Sequence, residues 1–234
     1  MTAAAIPRPE PSEYVPFYET YISKVPKGNL LKVLEDQQRE TQELLAGLSE
    51  ARALHRYAPG KWSIKEVVGH LMDSERVFCY RALGFGRADE NPLPGFDEKA
   101  WVPAGRFDAR SLKDLAAEFD AVRRATIALF SGLDSDALAR RGTANNNPIT
   151  VRALAWIIAG HERHHVAILR ERYLARARRS SSSSRPRRPR ETPAASSSTT
   201  SDSRAARCCL SCGCTTARSA ARGATPPASR GTRC

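Results

Sequence analysis

Apolar residues recur along the first 174 positions with the spacing of helices. Between residues 30 and 48, Leu30, Leu34, Gln37, Thr41, Leu44, Leu45 and Leu48 follow a helical period, although the middle of the run is polar. Asn29 precedes this run as an N-cap and Gly47 stands near its end. A second run covers about 64–84, where Ser63 and Glu66 have the spacing of a capping box and Gly84 can end the helix. A third covers about 112–131 behind Ser111, with Leu112, Leu115, Phe119, Val122, Ile127 and Phe130 on its apolar face. A fourth covers about 151–174 behind Thr150, which follows Pro148.

The segments between these runs are of two kinds. Residues 14–25 are dense in aromatics and predict a short irregular segment packed over a core, while residues 1–13 are Pro-rich and polar and predict a flexible lead-in. Residues 85–110 form a long connection in which Pro92, Pro94 and Gly95 exclude a continuous helix, with room for one short turn over 97–102. No run shows strand alternation. The expected fold is therefore all-α: a four-helix bundle over 14–174 with one long crossover between the second and third helices.

Charge changes the picture at residue 175. Residues 175–234 carry thirteen arginines, no lysine and two acids (Glu191 and Asp202), a net +11, which leaves about +1 of the total +12 to residues 1–174. A nucleic-acid function for the bundle therefore finds no support in the high isoelectric point. The Arg/Ser/Pro/Cys-rich tail, with Leu210 as its only large aliphatic residue, predicts disorder and at most weak, non-specific binding to nucleic acid. Five of the six cysteines lie there, without the spacing or apolar support of a zinc module. Cys79, the sixth, reads as a small buried hydrophobe. No disulfide framework, signal sequence or eighteen-residue apolar stretch is present, so a cytoplasmic protein without a membrane span is expected.

The candidate chemistry lies in the fourth run. Leu154, Ile158, His161, His165 and Ile168 fall on one stripe at spacings of 4, 3, 4 and 3, so His161 and His165 stand where Leu is expected, and His164 leaves the stripe. Two imidazoles one turn apart can hold a divalent metal; the competing reading is that each bonds a core carbonyl or carboxylate. His70, on the flank of the second helix, is a third candidate that spacing alone does not select. Asp73, one turn further, could orient His70 or act as a base, or simply be a surface charge. Glu75 reads more readily as a solvated charge or the ion-pair partner of an arginine than as a base near the site, and Glu162 as a surface residue. Trp62, Phe96 and Trp101 could line a pocket or belong to the core. His161-Glu162-Arg163-His164-His165 matches the H-E-x-x-H string of zinc proteases, but no histidine follows it and no strand is expected, which argues against a protease.

Three segments together carry a family resemblance: Gly60-Lys61-Trp62-Ser63 through His70-Leu71-Met72-Asp73-Ser74-Glu75, Pro94-Gly95-Phe96-Asp97-Glu98-Lys99-Ala100-Trp101, and Gly160-His161-Glu162-Arg163-His164-His165. Over about 14–174 the chain resembles the DinB-like family, in particular its bacillithiol transferase-like branch. That resemblance implies a four-helix bundle with an up-up-down-down path. It also implies a divalent metal, typically nickel or zinc, on residues matching His70, His161 and His165. The implied activity is transfer of a low-molecular-weight thiol to an electrophilic substrate, or hydrolysis of a small molecule at the same metal. The alternative is a non-catalytic metal-binding stress protein. The resemblance further implies a possible homodimer.

Overall fold

The computed structural model describes residues 5–175. The tail expected to be disordered, beyond its first residue, lies outside these residues, as do the first four residues of the lead-in. Among the described residues there are eight α-helices: α1 (Glu19–Ile22), α2 (Leu30–Ala46), α3 (Glu50–Ala53), α4 (Ile64–Gly86), α5 (Glu98–Gly105), α6 (Leu112–Ser131), α7 (Ser135–Ala139) and α8 (Val151–Ile168). The expected caps form. Asn29 Oδ1 accepts from the Leu31 and Lys32 amides, Ser63 and Glu66 close a reciprocal capping box, and Ser111 and Thr150 cap α6 and α8.

The bundle consists of α2, α4, α6 and α8. Each of α2 and α4 packs against both α6 and α8, which leaves the consecutive pair α2 and α4 on a diagonal. Contacts along the helices fix their directions. Gln38 meets Asp120 and Gln42 meets Ala116, so α2 and α6 run antiparallel. Glu75 meets Arg123 and Cys79 meets Thr126, so α4 and α6 run parallel. His70 meets His161, while Ile64 and Val67 cluster with Leu169 and Tyr173, so α4 and α8 run antiparallel. The path is up-down-down-up, which corrects the up-up-down-down order implied by the resemblance. The reason lies in the single long crossover. Placing α6 parallel to α4 requires the chain to return along a helix about 34 Å long, and residues 87–111 make that return.

Three further expectations are corrected. The α6–α8 connection contains a hairpin, β1 (Arg141–Ala144) and β2 (Asn147–Thr150), where no strand was expected. Its two-residue turn is Asn145-Asn146, both at positive φ (50° and 61°), a conformation that Asn tolerates better than most residues. The crossover docks on this hairpin: the Leu93 amide donates to the Thr143 carbonyl and the Asn145 amide to the Leu93 carbonyl. The turn expected over 97–102 extends into the full helix α5, capped by Asp97. Residues 5–13 are packed rather than loose. Ile6 is buried, Arg8 donates to the Ile22 and Val25 carbonyls at the end of α1, and the buried Glu13 binds Thr150 and Arg152 on α8.

α1 lies directly on α8 because of Gly160. A Cβ at this position would come within 2.2 Å of the Tyr21 carbonyl oxygen, so only glycine allows the two backbones this approach. The contact brings Tyr21 over the following residue, His161. No helix among the described residues is long and apolar enough to cross a membrane.

Candidate metal centre

His70 on α4 and His161 and His165 on α8 converge. His161 Nε2 lies 3.1 Å from His70 Nε2 and 3.1 Å from His165 Nε2. His70 and His161 are buried, and His165 is half-buried. This is the only group of three or more His, Cys, Asp or Glu side chains among the described residues with ligand atoms close enough to hold one ion. His164 stays outside it, with its ring against those of Tyr21 and His165.

The surroundings hold these imidazoles neutral. Burial pushes His70 down to about 4. Burial, reinforced by neighbouring histidines, holds His161 and His165 well below the ordinary histidine range. A neutral imidazole carries one N–H and one lone pair. Three Nε2 atoms aimed at one point cannot all satisfy one another, because His161 Nε2 faces two neighbours with a single proton or a single lone pair to offer. A cation that accepts all three lone pairs removes the conflict. Metal–nitrogen bonds of about 2.0–2.1 Å at 90–109° place ligand nitrogens about 2.9–3.4 Å apart, and the observed spacing falls within that range. The donor set therefore fits a divalent metal.

With Nε2 directed inward, the His70 proton sits on Nδ1, which faces Ser74 Oγ at 3.4 Å. Ser74 thus occupies the orienting position considered for Asp73. Asp73 turns aside toward Arg76 at 3.8 Å, and burial raises its carboxyl above the ordinary range. Of the three aromatic candidates, only Trp62 reaches the centre, with its ring centroid 4.9 Å from that of His70. Phe96 and Trp101 pack on each other, 5.1 Å apart, and Trp101 is exposed. Tyr21 (5.2 Å) and Phe78 (6.0 Å) complete the wall around His161. Tyr173, in a π-helical turn (Leu169–Tyr173) that follows α8, donates from its hydroxyl to the Trp62 carbonyl at 2.7 Å and steadies the indole.

Behind the histidines lies a buried polar network. Arg123 on α6 is fully buried and grips Glu75 on α4 with two bonds of 2.8 Å; its third nitrogen reaches Glu162 on α8 at 2.7 Å. Glu162 also accepts from Thr41 (2.6 Å) and Gln37 (3.1 Å) on α2. All four bundle helices contribute. Glu162 is only 2% exposed, which corrects its reading as a surface residue. Of the two readings left open for Glu75, the structure shows the ion pair with an arginine and not the solvated face.

The fold and this site define a four-helix bundle with a three-histidine centre suited to a divalent metal. A model of the DinB superfamily matches residues 34–169, and the chain belongs to that superfamily. It is 32% identical over 165 residues to a Bacillus licheniformis protein, covering 62% of this chain and 91% of the relative. It is 27% identical over 142 residues to an Oceanobacillus iheyensis protein, covering 58% and 79%. Both relatives are named as candidate metal-dependent hydrolases. Among solved structures, YfiT of Bacillus subtilis aligns with a TM-score of 0.55 at 21% identity, covering 63% of this chain and 87% of YfiT. YfiT is described as a probable metal-dependent hydrolase with an unusual four-helix bundle topology. A mycothiol-dependent maleylpyruvate isomerase aligns with a TM-score of 0.51 at 12% identity, covering 62% and 61%. These two likenesses show the shared fold.

Proposed function

We propose that this chain is a divalent-metal-dependent hydrolase of a small electrophilic substrate, with His70, His161 and His165 as the metal ligands. The observation that carries the reading is the convergence of three neutral Nε2 atoms, two of them on buried rings and the third on a half-buried one, on one point. The names of the curated relatives support hydrolysis. Nickel and zinc both suit an all-imidazole ligand set. A cation held there supplies a Lewis acid and acidifies a water or thiol that reaches it.

The chain's own residues have defined tasks. Three neutral ligands leave the charge of the cation undiminished, which a carboxylate ligand would not. Ser74 Oγ can accept the Nδ1–H of a His70 ring whose Nε2 faces the centre, and Tyr173 holds Trp62 against the same ring. Trp62, Tyr21 and Phe78 form an apolar wall that limits water at the centre and strengthens electrostatic interactions within it.

Transfer of a low-molecular-weight thiol to an electrophile is a second reading of the same centre. The resemblance to the bacillithiol transferase-like branch favours it, and so does the thiol-dependent isomerase among the structures that share the fold.

Metal analysis of wild type, His161→Ala and His164→Ala tests the site. Wild type and His164→Ala are expected to hold about one metal per chain, and His161→Ala much less. Unchanged metal in His161→Ala would refute the centre. Nickel- or zinc-loaded protein is then offered p-nitrophenyl acetate, and separately cysteine with 1-chloro-2,4-dinitrobenzene. Metal-dependent ester cleavage supports the hydrolase, and metal-dependent conjugation supports the transferase. Stoichiometric metal with neither reaction, over a broad panel of esters, amides and thiols, leaves a metal-binding protein without turnover.

A further inference from the structure

A cavity of about 240 Å³ opens between α2 and α8, lined by Gln37, Glu162, Arg163 and Arg170 rather than by the histidines. Two side-chain polar atoms among the described residues are buried without a hydrogen-bond partner: Gln37 Oε1 and Arg163 Nε. No other described side-chain nitrogen or oxygen shares that condition, and both residues line this one cavity. Native proteins leave few such groups unsatisfied, because each costs about 1–3 kcal/mol.

The two atoms make opposite demands. Gln37 is 4% exposed, and its amide nitrogen donates to the Ala159 carbonyl at 2.9 Å and to Glu162 Oε2 at 3.1 Å. That fixes the amide orientation, since a flip would set its oxygen against a carbonyl and a carboxylate. Gln37 Oε1 is therefore an acceptor in need of a donor. Arg163 Nε is a donor in need of an acceptor, and Arg163 forms no ion pair among the described residues. Glu162, the adjacent residue along the helix, turns away from it and accepts from Thr41, Gln37 and Arg123 instead. Arg170 adds a second positive charge, held only at 3.9 Å by Glu40. Glu40 and Glu171 also line the cavity and add negative charge.

A carboxylate answers Arg163 and Arg170, and a donor on the adjoining carbon answers Gln37. The acids Glu40 and Glu171 favour an ammonium over a hydroxyl as that donor. We infer that this cavity binds a small α-amino carboxylate, at a site separate from the metal centre.

Calorimetric titration of the full chain tests this, with L-serine, L-lactate, acetate and ethanolamine as probes. L-Serine is expected to bind about tenfold or more tightly than acetate or ethanolamine, each of which lacks one of the two groups, with L-lactate between them. Arg163→Gln is expected to weaken L-serine about tenfold while metal content and thermal unfolding stay at wild-type values. Gln37→Met, checked for fold by circular dichroism, is expected to reduce the preference for L-serine over acetate. Binding is expected to persist in His161→Ala. Its loss there would place the amino acid at the histidines and overturn the assignment. No saturable L-serine binding up to about 20 mM, where a millimolar ligand would saturate, would also overturn it. So would equal affinity for acetate, or an unchanged affinity in Arg163→Gln.

Discussion

Arg123→Met tests the network that joins the four helices. Methionine fills much of the arginine volume but removes the guanidinium, which forms two 2.8 Å bonds to Glu75 and one of 2.7 Å to Glu162. Glu75 is 4% exposed and Glu162 2%, so neither carboxylate can turn to water for compensation. Removing one partner of a buried ion pair typically costs about 3–5 kcal/mol. Here two carboxylates lose their partner, so the upper part of that range is expected. For a domain of this size each kcal/mol moves the midpoint by about 2–4 °C, which gives a fall of roughly 8–20 °C.

The loss should depend on pH in a defined direction. Burial already pushes the Glu162 carboxyl above its ordinary range, opposed by the charge of Arg123 and the Thr41 hydrogen bond. Without Arg123 the folded-state value rises further. A carboxyl with a raised folded-state value binds its proton more tightly in the folded chain, so its destabilising effect grows as pH rises above the unfolded value and fades below it. The variant should therefore lie furthest from wild type near pH 8 and approach it toward pH 5. Thermal and guanidinium unfolding of metal-free protein provide the assay. Arg124→Met is the control, because its Asp120 pair is solvent-exposed and expected to contribute less than about 1 kcal/mol. Equal midpoints for the two variants, or a deficit independent of pH, would refute the reasoning.

Three further outcomes follow from particular contacts. Gly160→Ala should destabilise by roughly 1–3 kcal/mol in urea unfolding, although Ala normally stabilises a helix interior by about 1 kcal/mol, because the added methyl meets the Tyr21 backbone. Burial alone would raise the Glu13 carboxyl, but Arg152, the Glu10 amide and Thr150 hold it at about 2, below its ordinary 4.5. Its stabilisation, on the order of 2 kcal/mol, is present above about pH 4.5 and is lost as pH falls toward 2; the stability gap between wild type and Glu13→Gln should close over that interval. A chain ending at residue 175 should keep wild-type metal content and thermal midpoint. One ending at 168 lacks Leu169 and Tyr173 and should melt lower by at least about 10 °C, because two buried side chains and the Trp62 tether are gone.

The parts of this molecule legible from sequence are those set by local spacing. The four long helices follow from apolar period and caps, and His161 with His165 follows from two polar residues in an apolar stripe. The same signal was present elsewhere. Gln37 and Thr41 occupy the apolar register of α2, and Arg123 stands four residues after Phe119 on the core face of α6. Together they announce a polar network, but its partner Glu162 is adjacent to a histidine of the stripe and points toward a different helix, so one-helix periodicity sends it to the surface. The hairpin escaped for another reason. Its strands have four residues each, one contains Pro148, and the only local mark is the Asn145-Asn146 pair that tolerates positive φ. His70 is the instructive case. Its position on α4 is ordinary, and only the antiparallel pairing of α4 with α8 carries its ring to His161. That pairing depends on the crossover, which sends α6 parallel to α4 and leaves α8 to return beside it. The third histidine is thus a consequence of topology, and the orienting partner changes with it. Four residues carry Ser74 back over the His70 ring, whereas three turn Asp73 toward Arg76.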